Sequence, residues 1–221
     1  MCLAARQSEL TFIHRWLPAQ SPTPPETLLL LHGTGANEND LLPLGRALSP
    51  QAALLSPRGQ VLEHGIPRFF RRFAEGVFDV KDLESRAHEL ADFVVGASQV
   101  YGFDRKRIVA VGFSNGANIA AGVLLLRPEL LAGAVLIRAM VPLVPDPLPR
   151  LDGVQIFLAA GTQDPIVRPE ETERLAALLG AVGADVTLHW EQSGHTIMQS
   201  EVEVARTWLE RARASRWENG S

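Results

Sequence analysis

Three residues whose side chains can together cleave an acyl bond lie in separate parts of this sequence. Ser114 is the centre of residues 112–116 (GFSNG), and Asp164 and His195 follow it in that order. A serine hydroxyl attacks a carbonyl carbon when a base takes its proton, and the base must be held in the correct tautomer by an acid. The residue types and their order therefore predict nucleophilic acyl transfer.

The GFSNG segment predicts a sharp turn from a strand into a helix, with Ser114 at its apex. Apolar residues 107–111 precede it and helix-forming residues 115–126 follow it. Glycines two positions to either side leave room because a side chain there would collide across the turn. The pentapeptide alone is weak evidence, so the flanking strand and helix carry the prediction.

Asp164 and His195 each come a few residues after a predicted strand, which predicts that both lie on loops at the same sheet edge as Ser114. The alternative for Asp164 is a turn aspartate before Pro165. Among the other five histidines, His32 lies beside a glycine loop, where we expect it to orient the backbone.

Acyl transfer also requires N–H groups aimed at the oxyanion of the tetrahedral intermediate. We predict these donors to be the backbone N–H groups of Asn115, directly after the serine, and of Thr34, in residues 32–35 (HGTG). The alternative is that these glycines only make a tight strand exit. The two common glycine-rich phosphate-binding patterns do not occur in the sequence.

The segments that must position these residues alternate between strand-like and helix-like patterns. Strands are predicted at 9–18, 27–31, 51–56, 107–111, 131–137, 154–159 and 186–190. Helices are predicted at 82–101 ending before Gly102, at 115–126, 170–179 and 201–214, and in a short segment through Leu48 capped by Asn39 or Asp40. This alternation predicts a doubly wound, mostly parallel sheet flanked by helices, in which ligands bind beyond the carboxyl ends of the strands.

Composition favours a single α/β domain spanning residues 1–221, with frayed ends at 1–8 and 215–221. The chain has 46% apolar residues and a net charge of −4, so we expect no nucleic-acid partner. Cys2 is the only cysteine, which excludes an internal disulfide and a cysteine metal cluster. No secretory signal is visible and the apolar runs are too short to span a bilayer, so we expect a cytoplasmic protein without a membrane partner.

Four motifs in this order and spacing resemble the small phospholipase/carboxylesterase family of α/β-hydrolases, which includes the acyl-protein thioesterases. They are HGTG at 32–35, GFSNG at 112–116, DP at 164–165 and SGH at 193–195. The similarity extends over about residues 27–209 and is greatest to a bacterial branch with stretches like SPRG at 56–59 and PRFFRR at 67–72.

The resemblance implies an α/β-hydrolase fold with a triad of Ser114, Asp164 and His195. It also implies an oxyanion hole at Thr34 and Asn115, with no cofactor and no metal. Members of the esterase and thioesterase branches usually have leucine and glutamine at these last two positions. The threonine and asparagine found here leave the backbone donors intact but change the pocket wall. The substrates of those enzymes therefore do not predict the substrate of this chain.

The predicted substrate pocket includes Phe69 and Phe70, whose segment 68–72 (RFFRR) follows a strand exit. One interpretation is an aromatic wall with a cation from this segment. The other places the phenylalanines in the core and the arginines, Arg71 among them, on a solvated face.

Arg138 and Met140 complete the predicted pocket, because they come directly after the apolar strand at 131–137. An arginine at a strand end can hold a substrate carboxylate through two hydrogen bonds. The alternative is a structural ion pair with Asp79 or Asp82.

These residues together predict a carboxylesterase that cleaves small, soluble esters through an acyl-enzyme. The connection at residues 139–151 is short and proline-rich, which predicts little or no lid over the site. A thioesterase or lysophospholipase-like activity is the first alternative, and a non-catalytic ligand-binding homologue is the second. A homodimer remains open as an assembly state.

Overall fold

The computed structural model describes residues 10–21 and 26–215, and its regular elements alternate as the sequence predicts. The strands are β1 (His14–Leu17), β2 (Thr27–Leu31), β3 (Ala53–Pro57), β4 (Val61–Glu63), β5 (Ile66–Arg68), β6 (Arg72–Ala74), β7 (Val77–Phe78), β8 (Ile108–Phe113), β9 (Gly133–Ile137), β10 (Gln155–Gly161) and β11 (Asp185–Glu191). The helices are α1 (Leu42–Leu48), α2 (Val80–Tyr101), α3 (Asn115–Leu126), α4 (Pro169–Ala181) and α5 (Gln199–Arg213), with a 3₁₀ turn at Arg105–Arg107.

Seven strands form one sheet in the order β1-β3-β2-β8-β9-β10-β11. Every neighbouring pair is parallel except β1 and β3, which are antiparallel. The strand order changes direction between β2 and β8, and the carboxyl ends at such a point form the usual ligand crevice of this architecture. The predicted doubly wound, mostly parallel sheet is confirmed.

The continuous apolar run of β2 is explained by helices covering both faces of the sheet. Leu29 and Leu31 point into one core cluster with α2, α3 and α4. Leu28 and Leu30 point into a second cluster with α1 and α5. Because side chains of a strand alternate between faces, a strand covered on both sides must be apolar at each position.

Two predicted helix boundaries differ in outcome. Helix α2 ends before Gly102, which adopts a left-handed conformation with φ 74°, as predicted. Helix α1 begins at Leu42, with Leu41 at the cap position and no side-chain cap. The prediction that Asn39 or Asp40 caps it is wrong because the Asp40 carboxylate accepts a hydrogen bond from the Asn37 N–H within the preceding loop.

Two short hairpins between β3 and α2 were not predicted. Strand β4 pairs with β5 and strand β6 with β7, both antiparallel. Each strand has only two or three residues, too few for an alternating pattern to stand out in the sequence. These hairpins supply one wall of the candidate site.

Some predictions concern residues that the structure does not describe. Cys2, most of the predicted loop at 21–25 and most of the predicted frayed ends lie outside the described residues. Within residues 10–21 and 26–215, no helix combines the length and apolarity that crossing a membrane requires.

Candidate active site

Ser114 lies at a strained turn between β8 and α3. Its backbone has φ 53° and ψ −116°, a region that L-residues rarely occupy, and its N–H donates to the carbonyl of Ile137 on the adjacent strand. A Cβ at Gly116 would lie 1.9 Å from the carbonyl oxygen of Leu31, and one at Gly112 would lie 2.5 Å from that of Gly116. Only glycine fits at both positions, as the sequence pattern predicts.

The structure brings Ser114, His195 and Asp164 into one hydrogen-bonded chain. The distance from His195 Nε2 to Ser114 Oγ is 2.8 Å, and His195 Nδ1 lies 2.8 Å from Asp164 Oδ2. Since a carboxylate can only accept, Nδ1 carries the proton, and Nε2 is left to accept from the serine hydroxyl. This is the tautomer that a general base next to serine requires.

Close contact between two loops fixes the relative position of the acid and the histidine. The Asp164 side chain is fully buried, and its Oδ1 accepts hydrogen bonds from the N–H groups of Ile166 and Val167. At Gly161, at the end of β10, a Cβ would lie 2.5 Å from the carbonyl oxygen of Ser193. The loop after β10 and the loop after β11 are therefore packed backbone against backbone.

Arg138 connects the loop after β11, residues 192–198 (the histidine loop), to the rest of the fold. Its backbone has φ 57°, and its side chain is fully buried with an ion pair of 2.8 Å to Glu201 on α5. The guanidinium also donates to three groups of the histidine loop: the carbonyls of Gly194 and Thr196 and the hydroxyl of Ser193. Its Nε lies 3.9 Å from Asp164 Oδ2.

The predicted alternative partners of Arg138 are corrected by this network. Arg138 pairs with Glu201, and it is Arg71 that pairs with Asp79, the N-cap residue of α2, and with Asp82 in its first turn. Every donor nitrogen of Arg138 has a protein acceptor, so its guanidinium is not available to a substrate carboxylate.

Thr34 lies in the loop after β2 and is anchored from the β4–β5 hairpin. The side chain of Arg68 donates to Thr34 Oγ1 at 3.0 Å, and the N–H of Gly35 donates to the carbonyl of Pro67. This hairpin therefore determines where the predicted oxyanion donor at Thr34 is held.

Asn115 is anchored from the same segment. Its side-chain oxygen accepts a hydrogen bond of 2.8 Å from the N–H of Phe69. As the first residue of α3, Asn115 has a backbone N–H with no acceptor inside the helix. The helix dipole also favours negative charge at this end of the helix.

A cavity of about 350 Å³ contains Ser114 and His195, at the small end of the range for ligand sites. Met140 lies in its wall, and so do both predicted oxyanion residues. The other lining residues are Arg68, Arg72, Glu75, Gly76, Phe78, Phe113, Asn118, Arg138, Ile166 and Val167.

Phe69 and Phe70 do not line this cavity, which corrects the predicted aromatic wall. They are 3% and 0% exposed and belong to the core cluster that the sheet forms with α2, α3 and α4. Phe69 packs against the ring of His32, and Phe70 packs edge-on against Phe78. Burial of such large rings stabilises the segment between the β4–β5 and β6–β7 hairpins, which form one wall of the cavity.

A larger groove of about 890 Å³ lies between the edge strand β11 and helix α5. Phe157 and Trp208 contribute to it, but none of the predicted site residues do. Within the described part of the chain, no group of three or more metal-ligating side chains is close enough together to bind a metal ion. The chemistry-bearing residues therefore converge on the smaller cavity.

The sequence model of the phospholipase/carboxylesterase family matches residues 18–212, which is most of the chain. The chain belongs to this family. The resemblance predicted from the four motifs is confirmed.

Similar proteins extend the family assignment over the whole fold. The Bacillus subtilis protein "Putative hydrolase MhqD" is 49% identical over 190 residues, which are 86% of this chain and 95% of that protein. The solved structure of the Bacillus cereus carboxylesterase has a TM-score of 0.92 and 47% identity, covering 96% of this chain and all of that one. A carboxylesterase from Mesorhizobium loti has a TM-score of 0.85 and 32% identity, covering 92% and 96% of the two chains. The predicted α/β-hydrolase fold is confirmed.

Two residues that the sequence did not single out contribute to this family member's site. Asn118 lies one turn after Ser114, and its side-chain oxygen accepts from the N–H of Met140. Glu201 pairs with Arg138. Asn118 has a local signal, because it is a polar residue in the apolar helix α3. Glu201 shows no such signal, since its partner is distant in sequence.

Arg68 belongs to the segment from which the sequence suggested a cation in the pocket. It lines the cavity and donates a hydrogen bond to Thr34.

His32 follows β2 and orients the glycine loop, as predicted. It is 1% exposed, with Nδ1 2.7 Å from the carbonyl of Gly33 and Nε2 accepting from the N–H of Gly59. These two bonds require the neutral ring with its proton on Nδ1. Burial is the largest influence on this group and lowers the pKa of His32 below its ordinary value of 6.5.

The contribution of His32 to the free energy of unfolding is therefore expected to decrease as the pH falls below about 6.5. In this range the unfolded chain binds a proton at His32, whereas the folded chain binds it less readily because its His32 has the lower pKa. Protons therefore favour unfolding. Urea unfolding between about pH 5 and 8 should show a smaller pH dependence for His32→Gln than for the wild type. The exposed His88→Gln serves as the control. An unchanged pH dependence in His32→Gln would contradict the assignment.

Proposed function

We propose that this protein hydrolyses small carboxylic esters through an acyl-enzyme formed on Ser114. The observation that carries the proposal is the chain of two 2.8 Å contacts from Ser114 Oγ through His195 to Asp164, beside a strained nucleophile turn. Membership of the phospholipase/carboxylesterase family supports the same reaction class.

In the first half of the reaction, Ser114 Oγ bonds to the ester carbonyl carbon while His195 Nε2 takes the hydroxyl proton. The carbonyl electron pair moves onto oxygen, and the N–H groups of Thr34 and Asn115 stabilise the resulting oxyanion. Asp164 accepts from Nδ1–H and stabilises the imidazolium. When the intermediate collapses, the carbon–oxygen bond to the alcohol breaks and the alcohol takes the proton from His195.

In the second half, water attacks the acyl-enzyme while His195 again removes a proton. The bond to Ser114 Oγ breaks, His195 returns the proton to the serine, and the carboxylic acid leaves. His195 is 16% exposed at its side chain, so water reaches it without a large opening movement.

The cavity supports a small substrate. Its volume is about 350 Å³, and residues 139–151 form no regular element that covers it. Apolar wall residues, Met140, Ile166 and Val167, suit a short acyl or alcohol chain.

The proposal is tested by labelling with a fluorophosphonate, which reacts with an activated serine and not with an ordinary one. We expect stoichiometric labelling located at Ser114 by peptide mass spectrometry, together with turnover of soluble acetate and butyrate esters. Labelling at another residue, or no labelling and no turnover, would rule the proposal out.

Matched substrates define the reaction further. A thioester and an oxygen ester with the same acyl group show whether thioester hydrolysis, the alternative drawn from the sequence, predominates. A long-chain triglyceride emulsion should be cleaved more slowly than a soluble butyrate ester. Faster cleavage of the emulsion would contradict the assignment to small soluble esters.

A further inference from the structure

One wall of the candidate active-site cavity carries two cations that share one anion. Arg68 on β5 and Arg72 on β6 both line the cavity that contains Ser114. Both pair with the same carboxylate, Glu63 on β4, at 3.3 Å. Two arginines held by one glutamate leave positive charge at the cavity surface.

Arg72 has donor groups free for a ligand. Within the described residues, its only side-chain contacts of hydrogen-bonding or ion-pair type are those of Nε with Glu63. The side chain is 32% exposed, so it is reached from the cavity and remains partly shielded from water. A guanidinium with two unused terminal nitrogens matches the geometry of a carboxylate.

Arg68 lies deeper and adds a second positive charge. Its side chain is 3% exposed and donates to the carbonyl of Phe70 and to Thr34 Oγ1. Burial, and after it the charge of Arg72, lower the pKa of Arg68. A bound anion would relieve this repulsion between the two arginines.

The remaining charged residues of the cavity limit the ligand to a single negative charge. Arg138 is already neutralised by Glu201. Glu75, in the turn between β6 and β7, is exposed, lines the same cavity and forms no ion pair with any described residue. Its carboxylate opposes a second negative charge on the ligand.

We propose that the preferred substrate is an ester that carries one carboxylate, and that Arg72, supported by Arg68, binds this carboxylate. The inference rests on the proposed ester hydrolysis and adds the substrate class to it. Arg72 takes the role that the sequence suggested for Arg138, whose donors are all occupied.

The test compares matched esters that differ only in the charge at one end. Monoethyl adipate, ethyl heptanoate and ethyl 6-aminohexanoate carry an acid, a neutral end and an amine on the acyl side. On the alcohol side, 4-(butanoyloxy)butanoate is compared with pentyl butanoate. The quantity measured is kcat/KM for the charged ester divided by kcat/KM for its neutral counterpart.

In the wild type we expect the acid ratio to exceed one on at least one side, and the two sets of esters to show on which side the carboxylate lies. On the acyl side the acid ratio should also exceed the amine ratio. Arg72→Gln should lower the acid ratio about tenfold, the order expected for one charge-assisted hydrogen bond. Glu75→Gln should raise it. Added salt should lower it in the wild type because the charges are partly exposed.

Arg150→Gln is the control for the change in net charge, since Arg150 is exposed and pairs with Asp152 away from the cavity. The inference is overturned if the acid ester is preferred over its neutral counterpart on neither side, or if the amine ester is preferred over the acid ester on the acyl side and the alcohol side shows no acid preference. It is also overturned if Arg72→Gln changes the acid ratio no more than Arg150→Gln. Turnover of the neutral esters with no acid preference would refute the carboxylate site alone. Absence of turnover with every ester would refute the proposed function as well.

Discussion

Ser114→Ala is expected to lower kcat/KM for a soluble ester by about 10⁴- to 10⁶-fold, because the acyl-enzyme has no other oxygen on which to form. His195→Ala should have a loss of the same order, since Ser114 would keep its proton. The double variant should be about as active as either single variant, because residues that act in one step are not additive. Initial rates with a butyrate ester give the comparison.

The same position also allows a stability measurement. Ser114 has φ 53° and ψ −116°, and alanine inherits that strain whereas glycine does not. Ser114→Gly should therefore be inactive and about 1 kcal/mol more stable than Ser114→Ala in urea unfolding. Such a difference would show that the strained turn is kept at a cost in stability.

Ser85→Ala, on the exposed face of α2, is the matched control and should retain wild-type rates. Ester turnover by Ser114→Ala within tenfold of the wild type would be incompatible with a serine nucleophile. Loss of activity accompanied by loss of the folded state would be detected in the same urea curves, so folding and chemistry are separated.

The features that the sequence predicted well are those set by local sterics or by a long pattern. The glycines of the GFSNG turn are required because backbone from β2 and α3 lies within 3 Å of where their side chains would be. Helix α2 spans 22 residues, long enough for its apolar spacing to be unmistakable, and ends at a left-handed glycine. Strand β2 is apolar at nearly every position, which indicates a strand covered on both faces.

The features that the sequence did not predict depend on contacts between distant segments. Phe69 and Phe70 follow one another in an arginine-rich stretch, and nothing local indicates that both rings enter the core. The hairpins β4–β5 and β6–β7 are too short for a periodic pattern. Their packing against the loops after β2 and β8 makes them part of the site, and this is a property of the tertiary fold.

The ion pair of Arg138 is another feature that depends on contacts between distant segments, and it has the largest consequence for stability. Its partner Glu201 is 63 positions away, and the nearer acids Asp79 and Asp82 are used by Arg71 instead. The sequence placed Arg138 correctly at the carboxyl end of a strand. Which acid it meets depends on how α5 packs over that edge of the sheet.

Arg138→Met is expected to lower the free energy of unfolding by about 3–5 kcal/mol, because it leaves the buried carboxylate of Glu201 without its cation. Glu201 is 1% exposed, so water cannot replace the lost partner. Arg138→Lys should recover only part of this loss, since an ammonium cannot reach Glu201, Ser193 and Thr196 at once as the planar guanidinium does. Urea unfolding of the purified variants measures each value.

The double variant Arg138→Met/Glu201→Leu separates the ion pair from the loop contacts. Removing both charges eliminates the unpaired carboxylate, so the double variant should be more stable than Arg138→Met alone. It should still hydrolyse esters more slowly than the wild type, because the carbonyls of Gly194 and Thr196 on the histidine loop have lost their common donor. Arg150→Met, on the surface, should leave both stability and rate unchanged. A double variant with restored stability and full wild-type kcat would show that Arg138 holds α5 to the sheet without positioning His195.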